Sequence, residues 1–254
     1  MSIVLYDAAN DSIEFRWPPG QDMYITGAVK TSILVIAIVV PAQGGHLTGG
    51  FGLYAGKGYF DLDNLNSDLA RFGYAGACED PLTFGFDSYL IFGSGILLGL
   101  DYGHYSASAV GSGGSNSVTG VKLVLYSGYS LYESEKWRLR PEIGIGFNNF
   151  DITLTSVQDG IEFDDVLEDP FRSASVGLNQ AILRIGLDMD RELIRIASRG
   201  SLFIGFEGGY DFPIGSTDWD GVFVSFQNGP GISIGGFNAK FTIGVTGILA
   251  ERDL

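Results

Sequence analysis

Two residues near the middle of the chain, His104 and Ser106, have the types and the spacing of a nucleophilic pair. Residues two apart on a β-strand share a face, so the imidazole could take the hydroxyl proton during attack on an ester. Pairs of this kind normally include a carboxylate that orients the histidine, but the stretch that follows, 111–124, contains no Asp or Glu. The competing interpretation makes His104 a residue of an aromatic belt, beside Tyr102 and Tyr105.

Six carboxylates lie close together further along the chain, namely Asp159, Glu162, Asp164, Asp165, Glu168 and Asp169. Clustered carboxylates can hold Ca²⁺ or Mg²⁺. In a chain of net charge −15, the default interpretation is a solvated loop of repelling charges. CxxC and HExxH patterns are absent, and the single cysteine, Cys78, excludes an internal disulfide. We therefore expect no cofactor and no metal, with these six residues as the metal-binding alternative.

An alternation of apolar and polar residues between odd and even positions predicts the β-strands that carry these residues. From Trp137 to Phe147, odd positions hold Trp, Leu, Pro, Ile, Ile and Phe, whereas even positions hold Arg, Arg, Glu, Gly and Gly. Such alternation predicts a β-strand with one apolar face and one charged or empty face. The same split occurs within 47–56, 82–90, 96–103, 121–128, 180–188, 202–211 and 237–245. The sequence therefore predicts eight strands.

The connections between these segments alternate between long and mostly short. Long ones are predicted at 62–81, 107–118, 155–176 and 214–236, and the others at 92–95, 133–136 and 190–200. Long loops on one side and short turns on the other are typical of outer-membrane barrels with both termini in the periplasm. The predicted fold is all-β, an eight-stranded antiparallel up-and-down transmembrane β-barrel.

The apolar face is predicted to point towards lipid, because apolar segments of about 9 to 11 residues with aromatic ends match tilted membrane strands. The alternative is a soluble, lipocalin-like barrel that encloses an apolar ligand. In the lipid orientation six acids and five bases form a network that fills the lumen, and a general porin would need a wider barrel. The lumen residues are Asp87, Asp101, Lys122, Arg138, Arg140, Glu142, Arg184, Asp188, Glu207, Asp211 and Lys240.

Over about residues 45–250 the chain resembles the small eight-stranded outer-membrane barrels of the OmpA-like and OmpX-like kind. The resemblance implies the outer membrane of a Gram-negative bacterium, with outer-membrane lipid and lipopolysaccharide as partners. Such barrels usually end on an aromatic residue, whereas this chain ends with Ala-Glu-Arg-Asp-Leu. The spacing of His104 and Ser106 also resembles that of the lipid A deacylases, themselves eight-stranded outer-membrane barrels. That resemblance implies a lipid A-modifying hydrolase as the alternative function.

The first 42 residues are predicted to lie outside the barrel domain, 43–254. Lys30, the apolar run 33–40 and the small residue Ala42 match a secretory signal with cleavage after Ala42. Met23 stands at a suitable distance upstream, so residues 1–22 are interpreted as a misassigned extension. The alternative makes the apolar run a buried strand of the mature protein.

The long outer loops carry the remaining signals. Asp63 is expected to cap a short helix that ends at Gly73 and forms a lid in the first loop. The last loop contains apolar residues that either pack over the mouth or contact a partner, namely Trp219, Val222, Phe223, Val224 and Phe226. The acidic surface disfavours nucleic acid. We expect a structural or surface-interaction protein rather than an enzyme, with surface ligands bound through the loops.

Overall fold

The computed structural model describes residues 3–7, 12–16, 22–25, 47–134, 136–156, 173–196, 200–215, 219–221, 225–226 and 232–250, which belong to two units. In the unit Met1–Gln43, three strands form an antiparallel sheet: β1 (Ile3–Asp7), β2 (Ser12–Arg16) and β3 (Asp22–Ile25). Met23 lies in β3, whereas the predicted signal run 33–40 lies outside the described residues. Among the described residues, no helix is long and apolar enough to cross a membrane.

The second unit, Gly44–Leu254, is a closed barrel. Its elements are β4 (Leu47–Gly58), α1 (Asp63–Arg71), β5 (Leu82–Ile91), β6 (Ile96–Val110), β7 (Gly114–Tyr129), β8 (Tyr132–Glu133), β9 (Trp137–Ser156), β10 (Ser173–Ile196), β11 (Gly200–Ile214), β12 (Trp219–Gly221), β13 (Ser225–Phe226) and β14 (Gly236–Ala250). Eight long strands pair antiparallel in the order β4, β5, β6, β7, β9, β10, β11, β14, and β14 pairs with β4 to close the ring. The predicted eight-stranded antiparallel barrel is confirmed.

Several strands are much longer than the apolar alternation indicated. The predicted long loop at 107–118 is wrong, because β6 and β7 remain paired up to Val110 and Ser115 and leave only 111–113 as the connection. The hairpin of β9 and β10 is longer still, with paired residues from Trp137 and Arg191 to Thr155 and Ser173. These extensions carry the barrel wall beyond the apolar belt.

The membrane section has its apolar face outside. In β9, the outward side chains of Ile143 and Ile145 are each 54% exposed, whereas the inward residues Arg140 and Glu142 just before them are buried. A lipocalin-like barrel would need the opposite orientation, so that alternative is wrong. On β9 the outward apolar run from Trp137 to Phe147 corresponds to a height of about 25 Å for a strand tilted by about 40°, which matches a membrane belt.

Above this belt the distribution of side chains is inverted. The outward positions of β9 and β10 become polar, and Asn149 pairs with Asn179 (Nδ2–Oδ1 3.2 Å) and Thr153 with Ser175 (Oγ1–Oγ 3.2 Å). The inward positions of the upper wall become apolar: Val118, Phe150, Ile152 and Leu178 are 0 to 2% exposed. The upper part of the barrel therefore has the polarity of a water-soluble protein, which places it outside the bilayer.

Helix α1 closes the upper, outer end of the barrel. Its residues Leu65 and Leu69, with Leu62 just before it, belong to the same buried cluster as the inward residues of the upper wall. Asp63 is the first helical residue and not the cap, which is Leu62 without a side-chain hydrogen bond. Gly73, with φ +78°, follows the helix in the left-handed conformation that glycine favours.

Candidate functional site

The middle of the lumen holds a layer of paired charges centred on Arg184, whose side chain is fully buried. Its guanidinium donates to both carboxylate oxygens of Asp211 (Nε–Oδ1 2.8 Å, Nη2–Oδ2 3.3 Å) and also to Asp101. Glu207 lies 3.5 Å away. A guanidinium presents a fixed fork of donors, so a single arginine holds carboxylates from β6 and β11 in place.

Two lysines complete this central layer. Lys240 lies 2.9 Å from Asp101 Oδ2 and 2.5 Å from Glu207 Oε2, and Lys122 lies 3.1 Å from Asp211 Oδ2. Three acids thus meet three bases, so the layer is neutral as a group. Each carboxylate contacts at least one cation, as buried charges require.

A second charged layer lies nearer the periplasmic turns. Arg140 donates to Asp188 (Nε–Oδ2 3.0 Å) and to Asp190, and its guanidinium lies 4.5 Å from the ring centroid of Tyr89. Arg138 lies 3.8 Å from Asp190. Sequence reasoning missed Asp190 because it ended this strand at Asp188. Asp190 has the same parity, two positions further along β10, and is 1% exposed.

Two lumen carboxylates, Asp87 and Glu142, have no ion pair among the described residues. Asp87 accepts a hydrogen bond from Tyr126 (Oη–Oδ1 2.7 Å). Glu142 is 7% exposed, and its Oε1 finds no hydrogen-bond partner in the described part of the chain. All eleven residues that the parity assigned to the lumen lie on the inward face of their strands.

Inward glycines make room for the large lumen side chains. Tyr54 donates to Asp101 (Oη–Oδ1 2.7 Å) and crosses Gly85, where an added Cβ would lie 2.6 Å from the tyrosine Cζ. Tyr126 crosses Gly99 in the same way, with its Oη 2.5 Å from such a Cβ. A larger residue at either position would collide with the tyrosine ring. The inward glycines therefore leave the space that these rings fill.

The buried apolar cluster formed by the upper wall and helix α1, called the outer cap below, seals the lumen above the charged layers. Asn148 donates to the carbonyl of Ile234 (Nδ2–O 2.7 Å), and the amide of Ile234 donates to Gln180 (N–Oε1 3.1 Å). Between this seal and the central layer lies a cavity of about 10 Å³ lined in part by Lys122 and Asn238. A space of that size holds about one water molecule.

The outer end of the barrel also carries an exposed ion pair. Lys57, at the end of β4, lies 2.5 Å from Asp80 in the first outer loop, and this ammonium lowers the pKa of the Asp80 carboxyl. Asn66 fixes the same loop through two bonds with Ala77 (Asn66 Nδ2–O 3.3 Å and Ala77 N–Oδ1 2.6 Å). The helix and its loop are therefore held to the barrel by hydrogen bonds as well as by apolar contacts.

His104 and Ser106 point outwards from β6 and are exposed. Among the described residues, no hydrogen bond joins their side chains, and no carboxylate accepts a bond from the imidazole. His104 lies opposite Phe84 and Val121 in the strand register, close to the upper edge of the apolar belt. Tyr105, expected beside it in an aromatic belt, instead points inwards and donates to the carbonyl of Asn149 (Oη–O 2.6 Å), because adjacent residues on a strand face opposite sides.

The remaining candidates are only partly described. The six carboxylates from Asp159 to Asp169 lie outside the described residues, as do Val222, Phe223 and Val224. Trp219 and Phe226 lie in β12 and β13, which pair with each other, and β12 pairs with β10. In the described ranges, no group of three or more His, Cys, Asp or Glu residues is arranged to hold a metal ion.

No protein-family model and no curated protein matches the chain. Solved structures align with low scores. Neisserial surface protein A aligns over 80% of this chain and 97% of its own, with 9% identity and a TM-score of 0.38. The outer membrane protease OmpT from Escherichia coli aligns over 84% of this chain and 99% of its own, with 9% identity and a TM-score of 0.38. The N-terminal β-barrel domain of Pseudomonas aeruginosa OprF aligns over 80% of this chain and 99% of its own, with 14% identity and a TM-score of 0.32.

Alignments of this quality do not decide function, so the assignment depends on the chain's own geometry. The ring of strands is closed, the outward belt is apolar, and the charged side chains are enclosed. With every strand paired, a closed barrel meets the requirement that no backbone group remain unsatisfied in lipid. The chain is a closed eight-stranded antiparallel β-barrel with the apolar outer belt of a membrane-spanning barrel.

Proposed function

We propose that the protein is a non-conducting barrel of the bacterial outer membrane that acts through its outer surface. The observation that carries this proposal is the filled interior. Two layers of charged side chains occupy the membrane section, and an apolar core with helix α1 occupies the section above it. In this proposal the side chains of the described residues fill the lumen, so that it carries no continuous water-filled channel.

The charged layers act as a structural plug in this proposal. Buried ion pairs add little net stability over an apolar filling, but losing one partner is costly. Charges from β6, β7, β10, β11 and β14 meet at Arg184, Lys122 and Lys240, so the network ties together strands far apart in the sequence. This arrangement supports a rigid barrel.

The outer cap provides the contact surface. Phe72 is 72% exposed and Val110 is 77% exposed, the two highest values among the large apolar residues of the described part of the chain. They lie on neighbouring segments, because the amide of Gly113 donates to the carbonyl of Gly73 (2.8 Å). We propose that this apolar pair, with the long loops around it, contacts surface ligands, and that lipid and lipopolysaccharide surround the belt.

Conductance tests the first half of the proposal. The full-length protein is reconstituted in planar lipid bilayers beside a variant in which a short Gly-Ser turn replaces residues 60–80. We expect no stable channel openings for the wild type. The variant loses the helix and should admit water to the upper lumen. Stable openings of porin size in the wild type would refute the plug.

Adhesion tests the second half. Cells displaying the wild type are compared with cells displaying Phe72→Ser/Val110→Ser, in cell aggregation and in attachment to epithelial monolayers. The matched control is Asp68→Ser, which changes a half-exposed residue of helix α1, just before Phe72. We expect the double variant alone to reduce attachment at equal surface amounts. Equal attachment by all three proteins would contradict a contact role for this patch.

A further inference from the structure

The lipid-facing surface carries one pair of side chains that the fold does not explain. Arg191 on β10 and Trp137 on β9 are direct partners in the strand register, and the guanidinium lies 5.2 Å from the centroid of the indole ring. Both residues have the outward parity that elsewhere on these strands carries Leu139, Leu187 and Met189. An arginine at an outward position is tolerated only near a membrane interface.

The pair lies at the periplasmic end of the outward apolar run on β9. Trp137 is the first residue of β9, and Arg191 lies five residues before the end of β10 at Ile196. Tryptophan concentrates at the depth of lipid headgroups. The guanidinium therefore lies where the phosphates of the inner leaflet are found.

Arg191 has no protein counter-ion among the described residues. The adjacent carboxylate, Glu192, pairs with Arg195 (Oε1–Nε 3.3 Å). Lys136 is also exposed beside the pair, and its carbonyl accepts a hydrogen bond from the amide of Glu192 (2.8 Å). Among the described residues, neither Arg191 nor Lys136 forms an ion pair, and both lie at the end of the membrane section that carries the indole ring.

We propose that Trp137, Arg191 and Lys136 bind the phosphate of an anionic phospholipid of the inner leaflet. The guanidinium provides a planar set of donors that suits a phosphate, and the indole keeps it in place by a cation–π contact. The second cation favours a lipid with net negative charge over a zwitterionic one. This proposal depends on the membrane placement and is independent of the outer cap.

Trp137 itself is the probe for the test. Trp17 and Trp219, the other two tryptophans, are replaced by Phe, and the full-length protein is reconstituted in phosphatidylcholine vesicles. Part of the lipid is replaced by acyl-brominated phosphatidylglycerol or, in a parallel series, by acyl-brominated phosphatidylcholine. Quenching of Trp137 fluorescence gives the relative association constant of the two lipids at this site.

We expect phosphatidylglycerol to be preferred, and Arg191→Gln to reduce that preference about fivefold. Arg191→Lys should retain most of it. The matched control is Arg195→Gln, which removes the same charge four residues away. Heat-modifiable gel migration shows that each variant is folded.

An unchanged preference in Arg191→Gln would overturn the proposal. An equal loss in Arg195→Gln would also overturn it, since the net charge of the rim would then suffice. Excess inorganic phosphate at constant ionic strength should leave the preference intact. If it removes the preference, the site takes free phosphate and the lipid is the wrong ligand. Solubility without detergent would instead refute the membrane placement itself.

Discussion

Replacing Arg184 by Met should cause a large loss of stability. Arg184 is the shared partner of Asp101, Glu207 and Asp211, and its side chain is fully buried. Methionine fills much of the same volume without charge. The substitution leaves three carboxylates with only Lys122 and Lys240, so one negative charge in the closed lumen lacks a counter-ion.

The magnitude follows from the burial of these groups. Removing one member of a buried ion pair costs about 3 to 5 kcal/mol, because the remaining charge stays desolvated. At about 1.4 kcal/mol per decade, this corresponds to a change in the unfolding equilibrium of roughly 10² to 10⁴. The matched control is Arg195→Met, since Arg195 pairs with Glu192 at the exposed rim, where its side chain is 67% exposed. Exposed pairs contribute about 0 to 1 kcal/mol.

Urea unfolding in phospholipid vesicles, followed by tryptophan fluorescence and by gel migration, measures both free energies. We expect Arg184→Met to lose several times more stability than Arg195→Met. A loss below about 1 kcal/mol for Arg184→Met would refute the view that the central layer needs every cation. Water would then have to reach the lumen carboxylates.

Three further substitutions test other parts of the structure. Gly99→Ala should cost about 1 to 3 kcal/mol in the same unfolding assay, because the new Cβ overlaps the ring of Tyr126; a neutral effect would show that this ring can move aside. Ile145→Arg should cost about 2 to 4 kcal/mol in the lipid belt, whereas Thr153→Arg, with the same parity on the same strand, should be nearly neutral. Equal costs would contradict the position of the upper boundary. Leu69→Ala should destabilise the packing of helix α1 by about 2 to 5 kcal/mol, seen as faster proteolysis of the first outer loop, with the half-exposed Asp68→Ala as the control.

The membrane section was predictable because lipid imposes one rule on every strand. Outward residues must be apolar, so parity alone revealed all eight strands and eleven of the inward charged residues, but not Asp190. The upper barrel follows another rule. There the outward positions 106, 108, 115 and 117 are serines and the inward Val118 is buried, so apolar alternation is weak or reversed. Because the outward apolar residues that indicate a membrane strand are mostly missing there, 107–118 was predicted to be a loop.

The contacts within the lumen could not be predicted from parity. Alternation shows that Arg184 faces inwards, but not that its nearest carboxylates come from β6 and β11, because barrel closure and strand stagger determine which residues share a level. The packing of Tyr126 against Gly99 has the same origin. A glycine in the pattern indicates an empty position, and only the fold shows which ring from the next strand occupies it.

The inversion between Phe147 and Asn149 has a consequence for where the protein can reside. On β9 and β10 the change from apolar to polar occurs within one pair of positions, with Phe147 opposite Ala181 and Asn149 opposite Asn179. A bilayer a few ångströms thicker would cover amides that are bonded to each other at the surface, and a thinner one would leave phenylalanine in water. Hydrophobic mismatch of this kind costs fractions of a kcal/mol per ångström. Summed around the barrel, it favours membranes of one thickness and opposes sliding along the membrane normal.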